Sequence, residues 1–260
     1  MAIYAIGIEY SGSGYSGWQR QKHSRSIQEQ LENALGYVAD HAVKLVCAGR
    51  TDTGVHAVEQ VAHFETHAIR NSRSWVLGAN CQIARDIRIK WAVQVDNGFH
   101  ARFSAIARSY RYIILNSVVA SALFHGKVNW QHTPLDHVIM DRAAQNLLGE
   151  HDFSAFRAAG CQSRSCNRNI HQISVTRQGD MVFLDIKANA FLYHMVRNIA
   201  GSLIEVGKGA KSQQWFTQVF EAKNRMQAAM TAPAEGLYMV RVYYPTQFKL
   251  PSQAKKPILF

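Results

Sequence analysis

The chain has 260 residues, 47% of them apolar, and a formal net charge of +11; that is enough to bury a core in one large domain or two modest ones. No run reaches the ~18–20 apolar residues of a membrane span, and Met1-Ala2-Ile3-Tyr4-Ala5-Ile6 is too short and too uncharged for a signal peptide. Four unevenly spaced cysteines, Cys47, Cys81, Cys161 and Cys166, suggest buried thiols in a reducing compartment rather than a disulfide framework, so a cytoplasmic location is expected.

Along the chain, Ile3–Tyr10 reads as a strand ending in a glycine-rich turn. Ser26-Ile27-Gln28-Glu29 has the form of a capping box, and Ile27, Leu31, Leu35 and Val38 continue an apolar helical stripe. Lys44–Ala48 is a short strand leading into a polar loop, and Val61–Phe64 a further strand. Ser72–Ala79 is helical, and Ile87, Ile89, Trp91, Val93 and Val95 alternate as a half-buried strand should. Ala107–Leu115 is strand-like. Leu135–Leu148 reads as a helix closed by Gly149, and Ile170–Thr176 with Met181–Ala188 as a hairpin across Gln178-Gly179-Asp180. Phe191–Val206 is a long apolar helix stopped by Gly207, Ser212–Ala222 another helix, and Leu237–Tyr244 a last strand before a tail containing proline and lysine. The mixture predicts an α+β fold with largely antiparallel sheet flanked by helices. A division near residue 104 separates two α/β subdomains, 1–104 and 105–260, with a cleft between them.

The charge favours a polyanionic partner. Arg20, Lys22, His23 and Arg25 fall within six residues, and Arg108, Arg111, Arg157, Arg164 and Arg168 recur in polar stretches with aromatic residues. Cations suit phosphates, and flat rings or guanidinium planes suit bases, so nucleic acid is the expected partner. No strongly basic amphipathic helix argues for a membrane surface.

Two motifs invite other chemistry. Gly12-Ser13-Gly14-Tyr15-Ser16-Gly17 follows a strand and matches G-x-G-x-x-G. A dinucleotide site needs the helix to start within that turn and an acidic residue about 20 positions on. Here the helix begins near Ser26 and the acidic residue is missing, so the segment is read as a turn or as a loop presenting Tyr15, Trp18 and Arg20 to RNA. His63-Phe64-Glu65 matches half of a zinc deaminase signature, but Cys161 and Cys166 lack the spacing and proline of the other half; no metal is assigned.

Gly49-Arg50-Thr51-Asp52-Thr53-Gly54-Val55-His56 differs in kind: four polar residues between glycines, directly after an apolar strand. A strand-end loop commonly presents a reactive side chain, yet an aspartate there also often bonds its own turn. Residue types alone leave the two readings about even.

The run Gly49–Ala57 resembles the GRTDAGVHA signature of the tRNA pseudouridine synthase A (TruA) family. Tyr15–Gln21 is similar to that family's GWQ-x-Q segment. Phe99–Ala105 with Arg108–Tyr112 resembles its FHARFSA and R-Y-R-Y stretch. Leu148–Phe153 is similar to LxGxHDF, Ala190–Asn198 to FLxxMVRN, and Glu235–Tyr238 completes the series in order. Departures are Thr53 for alanine, Ser11 where aspartate is frequent, and Ile83-Ala84 for a Leu-Pro pair; none removes a proposed catalytic group.

The resemblance implies a pseudouridine synthase fold and a homodimer that isomerises uridine at positions 38–40 of the tRNA anticodon stem–loop, with no cofactor. It implies that Asp52 is the essential carboxylate; addition to the sugar, addition to the base and ribose proton abstraction to a glycal all stay open to it. A carboxylate suits such work as nucleophile or base. An ionised Asp52 needs a cation, and Arg197, in an otherwise apolar helix where a lone charge is costly, is expected to pair with it across the cleft. Tyr110 is expected to stack on the flipped base and to help remove the C5 proton. Arg50 would fill the gap left by that base. Arg20, Lys22, Arg25, Arg108, Arg111 and Arg168 would grip phosphates. A non-catalytic RNA-binding protein on the same scaffold is the alternative, one with no need of Asp52, Tyr110 and Arg197 together.

Overall fold

The structure, a computed structural model, describes residues 1–251 and Pro257; most of the lysine-containing tail lies outside the described residues. The chain divides into two compact units, Met1–Arg108 with the segment from Tyr238 onward, and Ser109–Leu237. The expected division lay near residue 104. Each unit combines helices with sheet, as an α+β fold requires.

The first unit begins with β1 (Ala2–Tyr10), followed by α1 (Ile27–Ala39), β2 (Val46–Cys47), β3 (His56–Thr66), α2 (Ser72–Gln82) and β4 (Ile87–Val95). Strand β1 is central, antiparallel to β3 on one side and to β4 on the other. β2 adds to β3, pairing Val46 with His63. Helix α1 starts where the capping box predicts: the Ser26 hydroxyl accepts from the Glu29 N–H, and Ile27, Leu31 and Leu35 are buried. Helix α2 brings Trp75 against Tyr4 and Phe64, ring centroids 5.3 and 5.1 Å away, which closes the core beside the sheet. β3 is longer than its apolar run suggests and starts at His56, inside the polar motif itself.

The second unit is carried by β5 (Ala107–Asn116), β6 (Asn129–Gln131), α3 (His137–Gln145), β7 (Gly149–Asp152), β8 (Asn167–Gln178), β9 (Met181–Ala188), α4 (Met195–Gly207) and α5 (Gln213–Glu221). Its strands lie in the order β5-β9-β8-β7, with β6 beside β5. The hairpin is found as expected: β8 and β9 are antiparallel, with Gln178 opposite Met181 and Gly179 turning at φ +56°. Strand β10 (Leu237–Tyr243) then returns the chain to the first unit, parallel to β3 where Tyr238 faces His56.

Two helices differ from expectation at their ends. Asp136 caps α3 by accepting from the Val138 and Ile139 N–H groups, so Leu135 stays outside, and the helix stops near Asn146. Gly149 is therefore not its cap; at φ +95° it opens β7. Helix α4 starts only at Met195, after His194 in the left-handed region, with Phe191, Leu192 and Tyr193 in the approach to it. Gly207 is its last residue rather than its stop, and is small because Met140 and Leu135 press on it. No helix among the described residues is long and apolar enough to cross a membrane.

Candidate active site

The loop between β2 and β3 holds Asp52 part-buried, and hydrogen bonds brace it at Gly49, Thr51 and Asp52. Gln60, on β3, donates from its side-chain amide to the Gly49 carbonyl at 2.6 Å. The Tyr10 hydroxyl and Thr51 Oγ1 lie 2.7 Å apart in a buried hydrogen bond. The Trp18 N–H donates to the Thr51 carbonyl at 3.0 Å, and the Val55 N–H closes a turn onto the Asp52 carbonyl at 3.1 Å. Gly54 makes that turn at φ +80°, a region that costs other residues energy.

The G-x-G-x-x-G segment explains itself here. A Cβ on Gly12 would run into the Val55 carbonyl, and one on Gly17 would stand 2.7 Å from the Thr51 carbonyl. Gly17 also sits at φ +86°. The outer glycines thus let two backbone segments touch, while Gly14 meets nothing within 4 Å. Gly17 and Trp18 accept from the N–H groups of Ile27 and Gln28, so the turn joins the start of α1 to the aspartate loop. No phosphate-facing helix end is formed by these glycines. His56 is a brace that sequence reasoning missed: its Nδ1 accepts from the Gly12 N–H at 3.1 Å and its ring stacks on Tyr238, centroids 4.6 Å apart. Its place in the motif was the available signal.

Two residues expected at the RNA surface are core residues instead. Trp18 is 1% exposed and packs on Tyr10. Tyr15 is 3% exposed and donates to Asp86 at 2.7 Å; burial first, and then that carboxylate, hold its hydroxyl well above the usual tyrosine range. Arg25 lies over the Tyr15 ring at 4.7 Å. Arg50, Arg20, Lys22 and Arg25 are exposed, although Arg20 already reaches Glu29 and Glu32 at 3.5 Å. Arg108 is half-buried and donates to the carbonyls of Ala48 and Arg102.

In the second unit, Tyr110 on β5 is half-buried and meets the Phe191 ring edge to face at 4.9 Å. Arg197, on the first turns of α4, is also half-buried; its Nε donates to the Ala232 carbonyl at 2.8 Å while the Ala232 N–H returns a bond to the Arg197 carbonyl at 3.1 Å. Asn198 holds the same loop: its Oδ1 accepts from Thr231 and Arg225, and its Nδ2 donates to the Phe156 carbonyl. Arg111 and Arg168 are not presented to phosphates. Arg111 is buried in a two-pronged pair with Asp185, at 2.9 and 2.8 Å, over the face of Phe183. Arg168 is buried and donates to Ser163 and Ser165, its guanidinium destabilised as a cation by burial. Arg111 looked exposed in sequence because its carboxylate partner is distant, and Arg168 because its partners are a nearby serine hydroxyl and backbone carbonyls that no residue pattern singles out. Among the described residues no three or more His, Cys, Asp or Glu gather as a metal set.

The fold and this loop describe an enzyme type, an α+β scaffold that offers a braced carboxylate at a strand end. A family model described as tRNA pseudouridine synthase matches residues 6–104 and 143–245. Asp52 and Arg197 lie within those segments, and Tyr110 between them. The tRNA pseudouridine synthase A of Hydrogenovibrio crunogenus is 55% identical over 251 residues, 96% of each chain. That of Shewanella woodyi is 54% identical over 98% of this chain and 97% of its own, and that of Vibrio campbellii 53% over 95% and 94%. The chain belongs to the tRNA pseudouridine synthase family.

Proposed function

We propose that the protein isomerises uridine to pseudouridine at positions 38–40 of the tRNA anticodon stem–loop, with Asp52 as the essential carboxylate. The observation that carries this reading is the Asp52 loop, in which backbone and side-chain braces hold a part-buried carboxylate at a strand end; a carboxylate held in this way can serve the isomerisation as base or as nucleophile. In this reading Tyr110 stacks on the extruded base, as enzymes that work on a base need. Arg197 is the cationic partner of Asp52, and Arg50 fills the vacated stack. The exposed Arg20, Lys22 and Arg25 contact phosphates. The working form is a cytoplasmic homodimer. These roles come from the family resemblance and from residue chemistry.

The test is incubation with unmodified tRNA transcripts and mapping of pseudouridine at each position. Product at 38–40 from the unaltered chain and none from Asp52→Ala supports the reading. Product elsewhere overturns the positional part, and equal product from Asp52→Ala overturns the catalytic part.

A further inference from the structure

An aromatic side chain of the first unit, Phe103, is largely open to water. Phe103 is 77% exposed, which is unusual for a ring that burial would stabilise. It is nonetheless held in a fixed attitude. Its ring stacks on His100 with centroids 4.3 Å apart and planes 28° from parallel, and the His100 ring lies 4.8 Å from that of His63 on β3. The Arg102 guanidinium lies over the Phe103 ring, 5.6 Å from its centroid.

The backbone of this turn is pinned. The N–H groups of Arg102 and Phe103 both donate to His100 Nδ1, at 3.1 and 3.2 Å. The Ala101 N–H donates to His63 Nδ1 at 3.1 Å, and its carbonyl accepts from the Tyr244 hydroxyl at 2.6 Å. A ring fixed in this way loses little freedom when a flat partner lands on it, so its contact energy is not spent on ordering.

The turn also stands at the foot of the Asp52 loop. One nitrogen of Arg108 donates both to the Arg102 carbonyl at 2.8 Å and to the Ala48 carbonyl at 3.1 Å, the residue just before Gly49. Arg50 and Arg102 both act electrostatically on Cys47, in β2. The exposed ring, its guanidinium neighbour and the aspartate loop therefore belong to one rigid corner of this unit.

We propose that the His100–Phe103 turn is a stacking site for an unpaired base of the RNA substrate, the exposed ring of Phe103 taking the base and Arg102 the adjoining phosphate. An exposed ring in a short column, flanked by a guanidinium on a strongly basic chain, is the chemistry that holds a nucleobase irrespective of its sequence. The inference rests on the reading that the substrate is RNA.

Equilibrium binding of unmodified tRNA transcript, at one fixed salt concentration, tests it with three variants. Loss of one stacked base predicts a dissociation constant raised about five- to a hundredfold in Phe103→Ala. Phe103→Leu keeps an apolar cover on His100 but has no flat face, and should bind as weakly. Phe103→Trp should bind at least as tightly as the unaltered chain. Binding by the leucine variant equal to that of the unaltered chain overturns the proposal, as does an unaffected alanine variant. Thermal melting of each protein separates weak binding from misfolding; if the alanine variant does not fold, the leucine and tryptophan variants decide. Pseudouridine mapping on the unaltered chain is scored separately. Ring-dependent binding without product would leave the stacking site standing and sink the enzymatic reading; product with ring-independent affinity would do the reverse.

Discussion

The Tyr10 hydroxyl and Thr51 Oγ1 share a buried hydrogen bond of 2.7 Å, tying the end of β1 to the residue before Asp52. Removing one partner leaves the other without its bond in a buried place, which costs about 1–3 kcal/mol. Tyr10→Phe should therefore lower unfolding free energy by that amount in chemical denaturation. Turnover on tRNA should fall more than affinity, because the slackened element carries the carboxylate. An unchanged denaturation midpoint would show that the bond contributes nothing.

Gly17 and Gly14 belong to one sequence motif yet should respond differently to alanine. At φ +86° a side chain costs about 1–2 kcal/mol, and the added Cβ meets the Thr51 carbonyl besides. Gly17→Ala should melt earlier and lose most of its activity. Gly14→Ala, with open space around it, should match the unaltered chain in both. Equal behaviour of the two variants would refute the bracing role.

The Arg111–Asp185 pair is predicted to stabilise the second unit rather than to bind RNA. Breaking a buried pair from one side costs about 3–5 kcal/mol, so Arg111→Ala should be strongly destabilised. The slope of tRNA affinity against salt, which counts phosphate contacts, should stay the same for whatever fraction folds. A slope reduced by about one contact would restore Arg111 to the phosphate-binding set.

His63 makes stability depend on pH. Burial first, and then neighbouring His100, hold its imidazole below the ordinary value of 6.5, with Glu65 pulling the other way. Its Nδ1 accepts the Ala101 N–H, which also requires a bare nitrogen. The unfolded chain thus takes up the proton first as pH falls. The contribution is complete above about pH 6.5 and is lost as pH drops toward the lowered folded value, with a slope of at most about 1.4 kcal/mol per pH unit. His63→Asn, which keeps an acceptor near Nδ1, should flatten unfolding free energy between about pH 7.5 and 5.5 relative to the unaltered chain. Identical slopes would reject the assignment.

What could be read in sequence was local. The capping box at Ser26, the alternation in β4 and the hairpin around Gly179 depend on neighbours a few residues away, and they stand as predicted. The end of α3 was misplaced because Gly149 has the positive φ of a helix cap but uses it to enter β7. At the site, Asp52 was found through its motif, while its supports were not. Nothing in the run Gly12–Gly17 announces that two of its glycines face a loop some 40 residues on, for a missing Cβ matters only once the opposing carbonyl is in place. Tyr15 and Trp18 looked like surface rings beside polar residues, and only the packing against Asp86 and Tyr10 buries them. Arg111 shows the same limit, since the carboxylate that neutralises it lies 74 residues away.

The return of β10 to the first unit has a consequence for the order in which the protein can be made. The strand carrying the Asp52 loop pairs with residues near Tyr238 and stacks His56 on that tyrosine, so these contacts wait until some 180 later residues have left the ribosome. The second unit, contiguous from Ser109 to Leu237, is free to form during that interval, as domains do during synthesis. Closing so long a loop is slow. The half that holds the carboxylate is begun first and finished last.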